Sequence, residues 1–568
     1  MSRKELNLGI LAHVDAGKTT LTERLLFNAG VITQLGSVDA GTTQTDTLAL
    51  ERQRGITIRS AVAAFELGDV HVNLIDTPGH PDFIAEVERV LSVLDGAVLV
   101  VSGVEGVQPQ TRILMRALER LQVPTLFFIN KLDRTGADAE RVEREIRARL
   151  QRDDPVFQGS ARTGDGVEEL AAGIVRLLPP ASDDPSAPVS AKVFKIERGA
   201  RNEKIVCARL FSGTIHTRDR IGDAKVTALA VFEQGGAVNR PSVSAGAVAK
   251  LWGLAGAQVG DWLGVGHSSH DHHFAPPTLE SVVAPLDPDD GPRLRLALTQ
   301  LEEQDPLIGV RRNDGVISVS LYGEVQKEVI GATLAEEFGI AVEFRETTPI
   351  YVERPVDDGR AFLAIHEDGN PFDATLGFLI EPGPPESGLD YRSEAGAAAV
   401  PIHIYKTHAG FEEHMRQYVE DTLVSGPYGW RVTDCVVTLT EVAHAVADGS
   451  PGKRGDSSAG DFKDLTPLVL RQAVKRAGTV VCEPMLRVRL EIPVTLIGPL
   501  SATVARVGGV IDDTSVEGEI AVLAGELPAA RLHELQRQLP DLTGGEGVLD
   551  SEFAGYRPVE GPPPKRLL

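Results

Sequence analysis

The sequence predicts a multidomain α/β and α+β protein, and three observations carry that expectation. From residue 6 to about 180, short apolar runs alternate with helical segments, the pattern of a mixed, mostly parallel sheet with crossover helices. After a proline-rich stretch, the composition shifts to Val, Ala and Gly in short alternating runs from Val189 to about Gly266, as in a small β-barrel. The chain of 568 residues also exceeds what one hydrophobic core supports. At roughly 150 residues per domain it divides into about four units.

The first unit, residues 1–180, holds apolar runs at 6–11, 70–75, 97–101 and 125–129, each ending in a loop of unusual composition. Ligands of open α/β sheets sit at the carboxyl ends of the strands, so these loops are where chemistry is sought. Residues 137–150 are dense in Glu and Arg at helical spacing, as on a solvated helix face. Leu178-Pro179-Pro180 through Pro185 and Pro188 reads as a linker. The barrel unit spans 189–266 and contains an alternating run at 205–211. Beyond it, His267-Ser268-Ser269-His270-Asp271-His272-His273 reads as a solvated interdomain segment, with no cysteine nearby to suggest a metal site.

An α+β unit at 276–347 is expected to be helical at 294–301 and 325–338, with a strand at 316–321. A second, 348–478, is expected to be helical at 411–424 and 465–477, with a strand at 431–440. Its polar, glycine-rich stretch 448–460 reads as an exposed tip loop. A final α+β unit at 479–555 has a strand at 486–492 and a helix at 529–538. Residues 556–568 read as an unpacked tail.

The formal charge is −24, from 81 acidic and 57 basic residues. That balance argues against indiscriminate polyanion binding, because phosphate neutralisation dominates non-specific nucleic-acid affinity. It leaves room for RNA contact through a local patch, for which Lys453-Arg454, Arg471, Lys475-Arg476, Arg487 and Arg489 are candidates. Cys207, Cys435 and Cys482 are too scattered for a metal site or a disulfide scaffold. No apolar run approaches the ~18 residues of a membrane span. A cytoplasmic protein with no membrane partner is expected.

Ala12-His13-Val14-Asp15-Ala16-Gly17-Lys18-Thr19-Thr20 lies between the strand 6–11 and a helical run from Leu21, which is the context of a P-loop. Backbone N–H groups there would turn around phosphate oxygens at a helix N-terminus. Lys18 would reach the β and γ phosphates, and Thr19 would ligate Mg²⁺. Asp76-Thr77-Pro78-Gly79-His80 follows the strand 70–75, so Asp76 would hold Mg²⁺ directly or through water and Gly79 would sense the γ-phosphate. Thr57, in Arg54-Gly55-Ile56-Thr57-Ile58, would complete the Mg²⁺ shell while the γ-phosphate is present, the logic of an order–disorder switch. His80 is the catalytic candidate, orienting the attacking water. Asn130-Lys131-Leu132-Asp133 follows the strand 125–129. There the Asp133 carboxylate would accept two N–H bonds from guanine that adenine cannot supply. Ser160 and Ala161, in Gly159-Ser160-Ala161, would offer backbone N–H to the guanine O6. GTP and GDP with Mg²⁺ are the expected ligands.

These motifs resemble those of elongation factor G-like translational GTPases. The likeness to the tetracycline resistance ribosomal protection proteins is greater. It rests on Leu35-Gly36-Ser37-Val38-Asp39, Gly41-Thr42-Thr43, Leu50-Glu51-Arg52-Gln53-Arg54-Gly55, Gln110-Thr111-Arg112-Ile113-Leu114, Lys192-Val193-Phe194-Lys195-Ile196-Glu197 and Tyr428-Gly429-Trp430-Arg431-Val432-Thr433-Asp434-Cys435. The resemblance implies five domains: an N-terminal P-loop GTPase domain, a β-barrel domain II, and α+β domains of ferredoxin-like and ribosomal-protein-S5-like form. It implies a monomer that binds the 70S ribosome at the elongation factor site, displaces tetracycline near the decoding region, and leaves after ribosome-stimulated GTP hydrolysis. Ser450, Pro451, Lys453 and Arg454 would lie at the tip that approaches the drug. The alternatives are a translation factor of the same fold that confers no resistance and, from another class, a GTP-gated ribosome-binding regulator.

Overall fold

The computed structural model describes residues 4–36, 61–77, 84–180, 184–234, 236–265, 277–313, 316–396, 399–445 and 457–566. Its first unit contains β1 (Lys4–Ala12), α1 (Lys18–Asn28), β2 (Ala61–Leu67), β3 (Val70–Asp76), α2 (Ile84–Leu91) and β4 (Gly96–Ser102). These lead to α3 (Pro109–Arg120), β5 (Thr125–Asn130), α4 (Ala139–Leu150), β6 (Val156–Gln158) and α5 (Val167–Leu177). The sheet order is β2-β3-β1-β4-β5-β6, with β2 antiparallel to β3 and every other pairing parallel. Every residue of β3, β4 and β5 is buried, which is why these strands read as apolar runs and not as alternation. Alternate residues still serve different cores. Leu11, Ile75, Leu99 and Phe127 pack with α2–α4, and Ile10, Leu74, Val98 and Phe128 pack with α1 and α5. The charged helix α4 buries only the stripe Val142, Ile146 and Leu150.

The second unit is built from β7 (Ser190–Arg198), β8 (Lys204–Ser212), β9 (Ala228–Glu233), β10 (Gly236–Asn239), β11 (Val248–Trp252) and β12 (Trp262–Gly264). They form one antiparallel sheet in the order β10-β9-β11-β8-β7-β12, and the core under it includes Val193, Val206, Ile215, Val243 and Leu251. Asp95 of the first unit pairs with Arg209 of β8 at 2.6 Å, fixing the two units together.

The third unit sets α6 (Gly291–Gln304) and α7 (Glu324–Phe338) on β13 (Leu279–Pro285), β14 (Arg311–Asn313), β15 (Val316–Leu321) and β16 (Val342–Phe344), ordered β14-β15-β13-β16. The fourth has β18 (Gly359–Leu363), β19 (Ala374–Pro382), β20 (Leu389–Ser393) and β22 (Cys435–His444), ordered β18-β19-β22-β20. Helices α8 (His408–Leu423) and α9 (Ala459–Ala477) cover it through Phe411, Met415, Phe462 and Leu465. The last unit centres on β23 (Thr479–Pro493), paired with β25 (Ile520–Pro528) and β26 (Val548–Pro558), with β24 (Val510–Glu517) beside β25. Helices α10 (Ile497–Arg506) and α11 (Ala529–Thr543) pack on this sheet.

Three expectations are corrected. The stretch 348–478 does not keep to itself: Thr348–Pro349 pairs with β13, while β17 (Val352–Pro355) and β21 (Arg431–Val432) join the sheet of β23. The expected loop 448–460 stops short of its predicted end. Ser457 is buried with its hydroxyl bonded to Ala445 N at 2.7 Å, and Ser458 caps α9 in a capping box with Asp461. Nor is the tail unpacked. Val559 N donates to Val481 O at 3.0 Å, Trp430 Nε1 donates to Pro564 O at 2.8 Å, and Arg566 Nη2 lies 2.6 Å from Glu280 Oε2.

Candidate functional site

The parallel register brings five strand ends to one edge: Ile10 stands beside Asp76, Ala12 beside Val100, Ser102 beside Asn130 and Ile129 beside Gln158. The loops that follow these ends contain His13–Gly17, Thr77, Lys131–Asp133 and Gly159–Ala161. Thr57, Pro78, Gly79 and His80 lie outside the described residues, as do Ser450, Pro451, Lys453, Arg454 and the histidine cluster at 267–273.

In the first loop Asp15 and Gly17 are left-handed, with φ of 64° and 95°. A Cβ on Gly17 would stand 2.4 Å from Asn130 Nδ2, so a side chain is excluded there by contact as well as by conformation. Gly17 is also the N-cap of α1, which therefore starts with no side chain over its first-turn N–H groups, the arrangement that favours an anion. Lys18 opens the helix and lies 2.5 Å from Asp76, with both side chains buried. Thr19 and Thr20 are half-buried beside it. The Thr19 hydroxyl and the Asp76 carboxylate are hard oxygen donors, and that donor set suits Mg²⁺. The Thr77 hydroxyl donates to Ile10 O at 3.1 Å, fastening the end of β3 to β1.

Asn130 ties two loops together. Its Nδ2 donates to Ala16 O at 2.9 Å, and its Oδ1 accepts from Ala161 N at 2.9 Å. The Ala161 N–H that sequence assigns to guanine O6 is thus engaged internally, as is that of Ser160, which donates to Asp165 O at 2.9 Å. What Ser160 does contribute is a hydroxyl 2.7 Å from Asp133 Oδ1, holding the carboxylate that the sequence assigns to the base. Lys131 is left-handed and nearly buried, with Nζ 3.3 Å from a Glu105 oxygen.

His13 is 6% exposed and its Nδ1 lies 3.0 Å from Thr111 Oγ1. Burial dominates in lowering its pKa to about 4, with Lys131 adding to the effect while Glu105 and Asp15 oppose it. The ring is therefore neutral at pH 7 and meets α3 through Nδ1. The neighbouring Val14 N–H donates to Gln110 Oε1 at 3.1 Å, so it too faces α3.

Four positioning residues escaped sequence reasoning: Glu105, Gln110, Thr111, and Arg24, which donates to Ala161 O at 2.9 Å and also to Arg162 O. The string Gln110-Thr111-Arg112 was visible, but only as a likeness. The candidate basic residues do not form one element. Arg471, Lys475 and Arg476 are exposed on α9, whereas Arg487 and Arg489 lie on β23 beside Glu526 at 3.3 Å and Glu491 at 3.2 Å.

A phosphate-type loop whose floor is bonded to an Asn-Lys-x-Asp turn is the build of a GTP-binding domain, and comparison with known proteins agrees. Residues 3–180 match the family described as elongation factor Tu GTP binding domain, 341–478 match elongation factor G, domain IV, and 480–567 match elongation factor G C-terminus. A crystal structure of a protein from Thermus thermophilus shares the fold with a TM-score of 0.63 at 21% identity, covering 98% of each chain. The chain is a GTPase of the elongation factor G-like translational class. Within that class it belongs to the tetracycline resistance ribosomal protection family. The oxytetracycline resistance protein of Streptomyces rimosus is 42% identical over 99% of this chain and 96% of that protein. The tetracycline resistance proteins TetM of Streptomyces lividans and TetP of Clostridium perfringens are 39% and 37% identical, each over 98% of this chain and at least 95% of the relative.

Proposed function

We propose that this protein binds the 70S ribosome at the elongation factor site as a monomer in the cytoplasm, displaces tetracycline, and departs when it hydrolyses GTP. The observation that carries this reading is full-length identity to tetracycline resistance proteins combined with a retained P-loop and guanine-reading turn. Lys18 binds the β and γ phosphates, Asp133 reads the guanine edge, and Thr19 and Thr57 would hold Mg²⁺, with Asp76 directly or through water. Bound Mg²⁺ neutralises charge on the phosphate oxygens. Pro78 and Gly79 follow the γ-phosphate, and His80 orients the attacking water. Ser450, Pro451, Lys453 and Arg454 form the tip directed at the drug site.

The test is tetracycline occupancy on 70S ribosomes with purified protein and GTP. Lowered occupancy supports the reading, and unchanged occupancy overturns drug displacement while leaving the GTPase class intact.

A further inference from the structure

Helix α3 is held at adjacent residues by two different parts of the molecule. At its first turn Gln110 Oε1 accepts from Val14 N at 3.1 Å and Thr111 Oγ1 meets His13 Nδ1 at 3.0 Å, so both contacts fall on the loop that opens into Lys18. This turn is itself stiff, with Pro109 in the first turn and a capping box between Gln108 and Thr111. The next residue, Arg112, is 7% exposed and its Nη1 lies 2.5 Å from Glu491 Oε2 on β23 of the last unit. One helical turn on, Arg116 reaches the other Glu491 oxygen at 2.7 Å and Asp550 at 3.2 Å. Leu114, Met115 and Leu118 bury a further face of α3 in the first unit's core.

Residues 111 and 112 are about 100° apart around the helix, so a single turn grips the P-loop on one side and the last unit on the other. A buried arginine cannot give up a buried carboxylate without leaving an uncompensated charge, so Arg112 must follow Glu491. Displacement of β23 is therefore delivered to Thr111 and Gln110 through one rigid peptide step, with no loop between to absorb it.

We propose that α3 is a lever through which the last unit sets the hold of the P-loop on guanine nucleotide, with Arg112 and Glu491 as its positioning residues. The proposal rests on the nucleotide reading of the P-loop. With Glu491 engaged the loop is held in one conformation and GDP leaves slowly; when the last unit moves, as on docking to a large partner, release quickens.

The experiment is release of mantGDP from the full-length protein, followed with the thermal midpoint. Glu491→Gln should speed release roughly fivefold or more, the lower end of ordinary site-to-site coupling. Thr111→Val should do the same, and the double variant should be no faster than the faster single, because both break one path. Asp550→Asn, whose carboxylate meets α3 at Arg116 a turn further on and otherwise accepts from Ser551 N, should change release by less than about twofold. A purely structural contact would lower the midpoint without moving release. Unchanged release in Glu491→Gln, or rates that multiply in the double variant, overturn the lever. If Glu491→Gln does not fold, Arg112→Lys, which keeps the charge but loses the forked geometry, carries the same expectation. A wild type that fails to bind mantGDP overturns the nucleotide reading itself, and the lever with it.

Discussion

Lys18 Nζ and Asp76 Oδ1 meet 2.5 Å apart where α1 begins and β3 ends, with both side chains buried. The cation assigned to phosphate and the carboxylate assigned to Mg²⁺ thus neutralise each other. A bound nucleotide and Mg²⁺ would give each of the two groups an opposite charge in exchange for the other, so the charge balance of the pocket would be kept. Lys18→Ala breaks the pair from one side, and loss of one partner of a buried ion pair costs about 3–5 kcal/mol. We expect a lower urea midpoint for Lys18→Ala without nucleotide, and at least about a hundredfold weaker mantGTP binding, the product of two lost charge-assisted contacts. Undiminished binding would show that the phosphates lie elsewhere.

Asp133 is held by the Ser160 hydroxyl at 2.7 Å and lies 3.7 Å from the Arg162 guanidinium. Asp133→Asn presents an amide where guanine needs a double acceptor, and preference should pass from GTP to xanthosine triphosphate. Ser160→Ala leaves the carboxylate in place but less fixed. It should weaken GTP binding by roughly 3–10-fold, the worth of one ordinary hydrogen bond of about 1 kcal/mol, because the lost bond acts on the nucleotide only through Asp133. Competition binding with the two nucleotides checks both variants.

His80 follows the Asp76-Thr77-Pro78-Gly79 string in sequence, and its assigned work is to position water. His80→Ala should retain GTP binding and lose most ribosome-stimulated turnover, about a hundredfold or more if orientation supplies the rate. Single-turnover phosphate release on ribosomes separates the two properties. Equal turnover in the variant would assign the water to another group.

The legible parts of this molecule are those whose cause is local. Strands β1, β3, β4 and β5 are buried on both faces, so each announces itself as an apolar run, and each functional loop follows directly in the chain. Pairings such as Glu105 with Lys131, or Arg24 with Ala161 O, depend on which loops the fold brings together, and no spacing in the chain predicts them. The seat of His13 against Thr111 was hidden for a similar reason, since the residue it meets lies 98 positions further along the chain. Prolines near the end suggested an unpacked tail because nothing local could hold them; what holds them lies on Trp430 and Glu280.

In the second unit Glu197 lies 2.9 Å from Lys195 Nζ and 2.6 Å from Lys250 Nζ. Burial pushes its carboxyl pKa up, but the two ammonium groups outweigh this and bring it down to about 2 from an ordinary 4.5. A pKa depressed on folding contributes stability that is fully present above the unfolded value and lost as pH falls from 4.5 toward 2. The ceiling is about 3 kcal/mol, at 1.36 kcal/mol per pKa unit. Glu197→Gln should therefore be less stable than wild type at pH 7, with the gap in urea midpoint narrowing between pH 5 and pH 3. A gap independent of pH would mean the pair contributes by packing alone.

Arg566 closes the chain on two other units. Its guanidinium meets Glu280 at 2.6 and 3.0 Å and Ser318 Oγ at 3.0 Å, and its carbon centre lies 5.5 Å from the Trp430 ring. Its backbone N–H donates to Tyr428 O at 3.0 Å. The Tyr428–Trp430 turn is in turn set by the buried carboxyl of Glu353, which accepts from Tyr428 N at 2.8 Å and Trp430 N at 3.1 Å. Arg566→Ala leaves the buried Glu280 to Arg311 at 3.3 Å, and should cost about 3 kcal/mol. It should also uncover Trp430, which is 3% exposed, and shift tryptophan emission to the red in a protein with three tryptophans. Arg566→Lys keeps the charge but not the two-pronged contact, so it should fall between the two. Urea titration followed by fluorescence reads both effects together. A variant with wild-type midpoint and emission would mean that the tail rests on these units without holding them.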